Sequence, residues 1–517
     1  MRAAVVPAAL YLIVAILVLP VFPHFTSPNE LSRWALAVAL IDDRTIEVTA
    51  VLARTDLTRI EDTAMVEGRI YSNKAPGLSM LAAPAYAAVR PFTGPATADS
   101  IRPTMTVMRI ATSTIPAILL AIWVAAVAAR SGCDAGRIRL AITLLLFATP
   151  LFAYGLLFFS HAFSALALFG SWALLFASTR ARRHELAAGA LIGLGVLCEY
   201  PGAIPAAVIV ACALPRLRAG GLLRILAGGV PFAILLGWYN HAAFGSVFTL
   251  SSAHERDPAF RELAGSGLFG IGLPSPANLL AMLLDPSKGL LILSPVLVIA
   301  AFGIGAARRM MPRAALLALI AAPAVLFLTM AGYPNWHGGW TVGVRYVVPV
   351  LPFLALAVAF ARRTALEAFL LGASAGVVAI VSLVFPFVPP GQNAPWISFS
   401  WPLLREGLVA PNLLHLVWQP LAVGVPFLLA AAAVVAAVPS RRMALAAIAG
   451  FAVWFGAGFV AHRFAPPANP TVRLIAQEVY FEREGTIRRT LPPGPARERL
   501  ESFARALRAS PPSSWPF

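Results

Sequence analysis

Long apolar blocks recur along the chain and constrain its fold more than any other feature. About thirteen segments are apolar enough to cross a bilayer as a helix, which takes about 17–25 residues. Of the 517 residues, 59% are apolar and 12% charged, whereas about a quarter are charged in a soluble domain. This excludes a water-soluble enzyme. A porin-like barrel, whose strands alternate over about 10 residues, is excluded as well, so the sequence predicts an all-α polytopic membrane protein.

The segments predict one transmembrane domain (1–461) and a short extracytoplasmic tail (462–517). Residues 186–215 break at Pro201-Gly202 and fit two short helices or one kinked helix. The prolines and short length of 75–92 favour a helix at the outer membrane interface instead of a span. The expected spans are 4–22, 104–129, 138–157, 159–178, 186–200, 202–215, 222–243, 289–307, 314–332, 346–361, 364–388, 417–438 and 443–461.

Arginine clusters between these segments predict the orientation of the chain. The net charge is +17, from 40 Lys and Arg against 23 Asp and Glu. The excess of basic residues lies in short loops between the apolar segments. This pattern is typical of charges that orient a protein in the membrane and does not indicate a nucleic-acid partner. With a cytoplasmic N-terminus, the long loops 23–103 and 244–288 lie outside. The clusters then placed in the cytoplasm are Arg130/Arg137/Arg139, Arg180/Arg182/Arg183, Arg216/Arg218/Arg224, Arg308/Arg309/Arg313, Arg362/Arg363 and Arg441/Arg442.

The first outer loop holds an acid and two cations that could carry chemistry. Glu30 is expected at the membrane surface, where partial shielding suits a general base, and Arg33 lies one turn further on. An ordinary surface ion pair is the alternative. Lysine occurs only at Lys74 and Lys288. An ammonium at headgroup level can bind a lipid phosphate, although a lysine at a helix end can also simply snorkel to water.

Residues 333–346 form the densest polar and aromatic stretch. An aromatic belt explains its tryptophans and tyrosines, but not Gly338-Gly339 beside His337 and Arg345. We expect a turn that closes over a ligand, in which Arg345 binds a phosphate bidentately. The residues expected to contact substrate here and elsewhere are Tyr71, Glu199, Trp336, His337 and Trp340.

Two further ionisable residues stand at the outer ends of spans. His161 begins the fourth span, and Glu199 lies where the fifth meets the outer surface; such groups usually point into the bundle. A lone histidine is also commonly a structural residue. The three cysteines fit neither a disulfide framework nor a zinc site. The carboxylate pairs Asp42-Asp43 and Glu61-Asp62 are weak candidates for a divalent cation, so the sequence identifies no definite cofactor and leaves a divalent cation open.

The order of these parts resembles the GT-C glycosyltransferases. The chain begins with one span, which is followed by a long outer loop that opens with an acid and by an interfacial helix after a Lys-x-Pro motif, and it has about thirteen spans in all. This order resembles the branch of protein O-mannosyltransferases and the aminoarabinose transferase of lipid A. That branch carries Asp-Glu, then Arg, then a Lys-Pro-Pro-like motif. The corresponding residues here are Asn29-Glu30, Arg33 and Lys74-Ala75-Pro76.

The resemblance implies roles for these residues, with two departures from the family pattern. The leading family Asp is Asn29 here, a substrate-binding position, so Glu30 is expected to take the catalytic role. A second family Asp, at the outer start of the fourth span, corresponds to His161, which is expected to be catalytic together with Glu30. Lys74, Arg345, Lys288 and Arg33 are expected to bind the donor phosphate.

The sequence therefore predicts a membrane glycosyltransferase that transfers a sugar from a polyprenyl-phosphate donor to a glycan, lipid or protein acceptor, with inversion. It is expected in a bacterial inner or plasma membrane, working on the outer face. A transporter or flippase is the main alternative, although the polar residues crowd one surface and not mid-membrane. A ligase for lipid-linked glycans and a non-catalytic scaffold also remain open.

Overall fold

A computed structural model describes residues 2–18, 20–22, 27–57, 60–177, 181–390 and 392–464. The predicted tail 462–517 lies outside the described residues from 465 onward. The last described helix ends at Phe464, three residues beyond the predicted end of the transmembrane part. Within the described ranges the chain is helical apart from one short antiparallel hairpin.

The first half of the chain contains the hairpin and twelve α-helices. They are α1 (Arg2–Leu17), α2 (Pro28–Asp42), α3 (Thr49–Arg54), β1 (Thr63–Val66), β2 (Arg69–Ser72), α4 (Gly77–Thr93), α5 (Ile101–Arg109), α6 (Ile115–Arg130), α7 (Ala135–Phe147), α8 (Leu151–Tyr154), α9 (His161–Leu175), α10 (Arg182–Cys198), α11 (Ala203–Ala213) and α12 (Gly221–Phe244). A π-helical turn, Ile110–Thr114, joins α5 and α6 into one continuous helix.

The second half contains ten more α-helices. They are α13 (Pro258–Gly265), α14 (Pro276–Leu284), α15 (Leu290–Leu293), α16 (Ala300–Ala307), α17 (Arg313–Ala331), α18 (Leu351–Phe360), α19 (Ala365–Val384), α20 (Trp401–Arg405), α21 (Gln419–Ala437) and α22 (Arg441–Phe464).

Six helices of the described chain are long and apolar enough to cross a membrane. They are Ile101–Arg130, Gly221–Phe244, Arg313–Ala331, Ala365–Val384, Gln419–Ala437 and Arg441–Ala461. Every other predicted span also contains helix, but in shorter pieces. Proline explains two of the breaks, since 138–157 is interrupted before Pro150 and 289–307 before Pro295. The predicted polytopic helical membrane fold is confirmed, with fewer full-length helices than expected.

Close helix crossings fix the position of α10, whose C-terminal end reaches the site described below. At Gly189 of α10 an added Cβ would lie 1.9 Å from the Ile225 carbonyl oxygen of α12. At Gly228 of α12 it would lie 2.1 Å from the Leu186 carbonyl oxygen. Only glycine permits this backbone approach, the packing that small residues provide between membrane helices.

A second apolar cluster lies beneath the residues of the first predicted outer loop. It joins α2, α4 and α5 through Trp34, Leu78, Tyr86 and Met105, and the indole N–H of Trp34 donates to Thr104 Oγ1 at 2.8 Å. The predicted interfacial segment is α4, which is absent from the helices able to span. Because α2 and the hairpin pack on this cluster, both are held at one end of the bundle.

Candidate functional site

A cavity of about 160 Å³ opens where α2, α9, the end of α10 and the residue after β2 converge. Two larger cavities, of about 280 and 570 Å³, have no carboxylate among their lining residues. The small cavity, in contrast to these two, has side chains suited to acid–base chemistry. It is lined by Asn29, Arg33, Asn73, Lys74, Ala75, Phe159, His161, Cys198, Glu199, Tyr200, Pro201, Ser251, Ser252, Arg345 and Tyr346.

Glu199 and His161 form the acid–base pair of the cavity. Glu199 directly follows α10 in extended backbone, and its side chain remains 16% exposed. Its Oε2 accepts a hydrogen bond from the Ser160 hydroxyl and lies 3.7 Å from His161 Nδ1. Neither ring nitrogen of the buried His161 has a hydrogen-bond partner among the described residues. The pair thus has unused capacity to accept or donate a proton.

Arg33 is fixed in the cavity wall by Asn29, one turn earlier on α2, and by Ser160, directly before α9. Its guanidinium donates to the Asn29 carbonyl oxygen at 3.1 Å and to the Asn29 side-chain oxygen. It also lies 3.4 Å from Ser160 Oγ and 5.8 Å from the centre of the Phe159 ring. A planar guanidinium held this way presents its remaining N–H groups in a fixed direction.

Lys74 stands at the mouth of the cavity, two residues after β2. Its Nζ lies 3.1 Å from Asp62 Oδ1, and both side chains are partly exposed. The adjacent Asn73 amide donates to both Glu255 carboxylate oxygens, at 2.9 and 2.7 Å. Burial would raise the pKa of Asp62, but Lys74, Arg345 and Asn73 together hold it below its usual value. Burial raises the pKa of Glu255 to about 7.

Arg345 supplies the third cation from a distant part of the chain. It donates to the Tyr346 hydroxyl at 2.9 Å and lies 4.8 and 5.8 Å from the centres of the Tyr346 and Phe159 rings. The turn that precedes it depends on Gly338, which has a φ of +72° and whose added Cβ would lie 2.8–3.0 Å from Arg345 side-chain atoms. The absence of a side chain at Gly338 therefore makes room for the arginine.

The structure brings half of the predicted site residues together. Those that line the cavity are Asn29, Arg33, Lys74, His161, Glu199 and Arg345.

Glu30 is absent from the lining, which corrects its predicted position. It is fully buried. It accepts two hydrogen bonds from Arg109, at 2.9 and 2.6 Å, and one from the Phe158 N–H at 2.5 Å. A carboxylate with three donors and no exposure is held for structure, not for proton transfer.

Lys288, which was predicted to bind the donor phosphate, is also absent from the cavity lining. It is buried, and its Nζ donates to the carbonyl oxygens of Gly339, Thr341 and Val388. An ammonium satisfied by three carbonyls ties loops together and has no open side for a phosphate.

The remaining predicted contacts lie outside the cavity lining. Tyr71 packs edge-on against Phe244, with ring centres 5.8 Å apart. His337 accepts the Gly339 N–H within its own turn at 3.1 Å, and Trp336 packs against the His337 ring. Trp340 is 39% exposed. These side chains shape the loop and do not reach the cavity in this structure.

Sequence reasoning missed several partners that the fold supplies. Arg109 carried a usable signal, because a charge inside a predicted span demands a buried partner. Asp62 was predicted only as part of a weak cation-binding pair, and Glu255 carried no signal, since it stands among ordinary loop charges. Ser160 carried no signal either, although its hydroxyl donates to Glu199.

The described residues contain no group of three or more His, Cys, Asp or Glu side chains that could hold a metal. Of the weak carboxylate pairs, Asp42 and Asp43 bind Arg54, and Asp42 also binds Arg90. Asp62 binds Lys74. These carboxylates therefore have cationic side chains as partners.

Similar proteins are found among solved structures only. No protein-family model and no curated protein matches the sequence. The chain is similar to ArnT from Cupriavidus metallidurans bound to undecaprenyl phosphate, with 16% identity and a TM-score of 0.49 over 97% of this chain and 84% of ArnT. The apo state of ArnT gives 15% identity and a TM-score of 0.47 over the same shares of the two chains.

The archaeal oligosaccharyltransferase AglB from Archaeoglobus fulgidus, in complex with an inhibitory peptide and a dolichol-phosphate, is also similar. It shows 15% identity and a TM-score of 0.37 over 100% of this chain and 61% of AglB. None of these structures reaches 25% identity, so the predicted GT-C likeness stays a resemblance in architecture. With every TM-score below 0.5, the chemistry of this chain has to be argued from its own side chains.

Proposed function

We propose that this chain is a membrane glycosyltransferase that transfers a sugar from a polyprenyl-phosphate donor to an acceptor hydroxyl. One observation carries the proposal. The Glu199–His161 pair shares a cavity of about 160 Å³ with three cationic side chains, Lys74, Arg33 and Arg345. Transfer from a phosphate-linked sugar needs both features, a proton acceptor and a positive surface for the departing phosphate.

The three cations would bind the donor phosphate and stabilise it as it leaves. Arg33 and Arg345 are held by Asn29, Ser160 and Tyr346, so little side-chain freedom is lost on binding. Lys74 reaches the mouth from the hairpin and adds a compact charge. Together they favour charge that develops on phosphate oxygen in the transition state.

Glu199 would act as the general base in place of Glu30. The acceptor oxygen forms a bond to C1 of the sugar while the bond between C1 and the phosphate oxygen breaks. The electron pair of the broken bond stays on the phosphate, and the acceptor proton passes to Glu199, with His161 at 3.7 Å from the carboxylate. Attack from the face opposite the phosphate inverts the anomeric centre.

The orientation supports a donor presented from the outer leaflet. The cavity residues belong to the predicted outer loops or to the outer ends of predicted spans, whereas the arginine clusters lie in the predicted cytoplasmic loops. The proposed location is therefore a bacterial inner or plasma membrane with the cavity on its outer face.

A transfer assay tests the proposal. Purified protein is incubated with radiolabelled polyprenyl-phosphate sugars and membrane lipids, and labelled products are separated. The intact chain should transfer label from at least one donor, and Glu199→Gln should lower turnover about 100-fold or more, the range for loss of a general base, while donor binding persists. Asp43→Asn, which removes a carboxylate bonded to Arg54, is the matched control.

Three outcomes would contradict the proposal. Unchanged turnover of Glu199→Gln removes this carboxylate from the mechanism. Transfer only from a glycan carried on polyprenyl pyrophosphate indicates the ligase alternative. Movement of a labelled lipid across proteoliposomes without any transfer product indicates the flippase alternative.

A further inference from the structure

Asp62 forms an ion pair with Lys74, the lining residue that is proposed to contact the donor phosphate. Its carboxylate lies 3.1 Å from Lys74 Nζ and 3.5 Å from the Asn73 amide nitrogen. The lysine and aspartate side chains are 17% and 23% exposed. A partly exposed ion pair of this kind contributes little to stability and exchanges partners readily, so a phosphate can replace the carboxylate at the ammonium.

The cavity therefore carries a defined balance of charge. Lys74, Arg33 and Arg345 line the cavity as cations and Glu199 lines it as an anion. Asp62 lies outside the lining but adds a negative charge at Lys74, so one positive charge remains when His161 and Glu255 are neutral. Lys74 and Arg345 both lower the pKa of Asp62, so this carboxylate is ionised at neutral pH. A ligand with one negative charge neutralises the site, whereas a ligand with two negative charges leaves one of them uncompensated.

The proposed donor and its product differ in this respect. The donor is a phosphodiester with one negative charge. The product is a phosphomonoester, whose second ionisation has a pKa of about 6 and which carries nearly two charges at neutral pH. We infer that Asp62 makes the cavity favour the singly charged phosphodiester donor and release the doubly charged phosphomonoester product. This inference rests on the proposed function.

Asp62 is better placed for this role than the other carboxylates nearby. Glu199 is needed as the base. Neither Asp62 nor Glu255 is among the lining residues, but Glu255 is bonded to the Asn73 amide, whereas Asp62 contacts Lys74 Nζ directly at 3.1 Å. With a pKa of about 7, Glu255 adds a variable negative charge, so wild type and variant must be compared at one pH.

A binding experiment tests the role of Asp62. Affinities of the purified full chain are measured at pH 7.5 for undecaprenyl phosphate and for its methyl phosphodiester. Wild type should bind the diester at least as tightly as the monoester. Asp62→Asn should tighten monoester binding about fivefold more than diester binding, the scale of a partly exposed charge pair. Asp62→Glu, which keeps the charge, should retain the wild-type ratio, and so should Asp43→Asn.

The outcomes separate this inference from the proposed function. If wild type binds both lipids and Asp62→Asn leaves their ratio unchanged, the inference is wrong and the proposed function stands. If wild type binds neither lipid, both fail. Should Asp62→Asn not fold, Asp62→Ser provides the same neutral comparison, and a merely structural Asp62 would change both affinities together without changing their ratio.

Discussion

Two glutamates close to the cavity have opposite surroundings, and this decides their roles. Glu30 is surrounded by donors from Arg109 and Phe158 and has no exposure. Glu199 binds the Ser160 hydroxyl and keeps one side open to the cavity. The same carboxylate chemistry is therefore used once to join helices and once, in our proposal, to accept a proton.

Glu30→Gln should lower stability more than it lowers catalysis. The substitution leaves the buried Arg109 guanidinium without its counter-charge, and breaking a buried ion pair costs about 3–5 kcal/mol. We expect a lower unfolding temperature and a lower folded yield of purified protein, followed by intrinsic fluorescence. The control is the more exposed Asp43–Arg54 ion pair. Asp43→Asn should lower the free energy of unfolding by at most about 1 kcal/mol. An unchanged unfolding temperature with transfer lost would return Glu30 to the mechanism.

At the scale of elements, the two long outer loops are joined beside the cavity. The backbone N–H of Arg256 donates to the Thr63 carbonyl at 2.9 Å, and the Ser251 hydroxyl donates to the Asn73 carbonyl at 2.8 Å. The Asn73–Glu255 hydrogen bonds complete the connection. The hairpin that carries Lys74 is thus supported by a segment about 180 residues away.

The stability of the folded chain should fall as pH rises through the pKa of Glu255, because burial makes this carboxylate costly to ionise. The pKa of Glu255 is about 7 in the folded chain, above its ordinary value of 4.5. A raised pKa means that the folded state holds the proton more tightly, so this stability is present at low pH and is lost as pH rises through about 7. The unfolding temperature of wild type relative to Glu255→Gln should therefore fall between pH 5 and pH 8.

Glu262 provides the control for this measurement, because it lies exposed on α13 in the same loop. Glu262→Gln should reproduce the wild-type dependence on pH. If Glu255→Gln also follows the wild-type curve throughout, Glu255 does not titrate in this range and its proposed linkage is wrong.

At the scale of the whole molecule, charge and chemistry are predicted to lie at opposite ends of the bundle. In the predicted topology the arginine clusters lie in the cytoplasmic loops, and the cavity residues lie in the outer loops or at the outer ends of spans. The proposed orientation predicts that Leu273, 92% exposed in the second long loop, faces the outside. Arg183, exposed near the start of α10, should face the cytoplasm.

Cysteine labelling of intact cells checks this orientation. Leu273→Cys should react with a membrane-impermeant maleimide, and Arg183→Cys should react only after the cells are permeabilised. The parent chain, with Cys133 and Cys198 buried, measures background labelling. Labelling of Arg183→Cys alone in intact cells would invert the topology and move the cavity to the cytoplasmic face.

The sequence by itself determined the helical membrane class, the position of most helices and several cavity residues. Hydropathy and proline are local properties, so the apolar segments and some of their breaks can be located without a fold. Asn29, Arg33 and Lys74 were predicted from short motifs in the first loop, and they do line one cavity.

Only the tertiary structure decided which carboxylate and which lysine face that cavity. Glu30 and Arg109 are 79 residues apart, and Asn73 and Glu255 are 182 apart. Burial and hydrogen bonding depend on such distant partners, and these in turn determine whether a charge is satisfied or free to react. For that reason Glu30, the predicted base, and Lys288, one of four predicted phosphate-binding cations, have their partners inside the fold, and Glu199 is left facing the cavity.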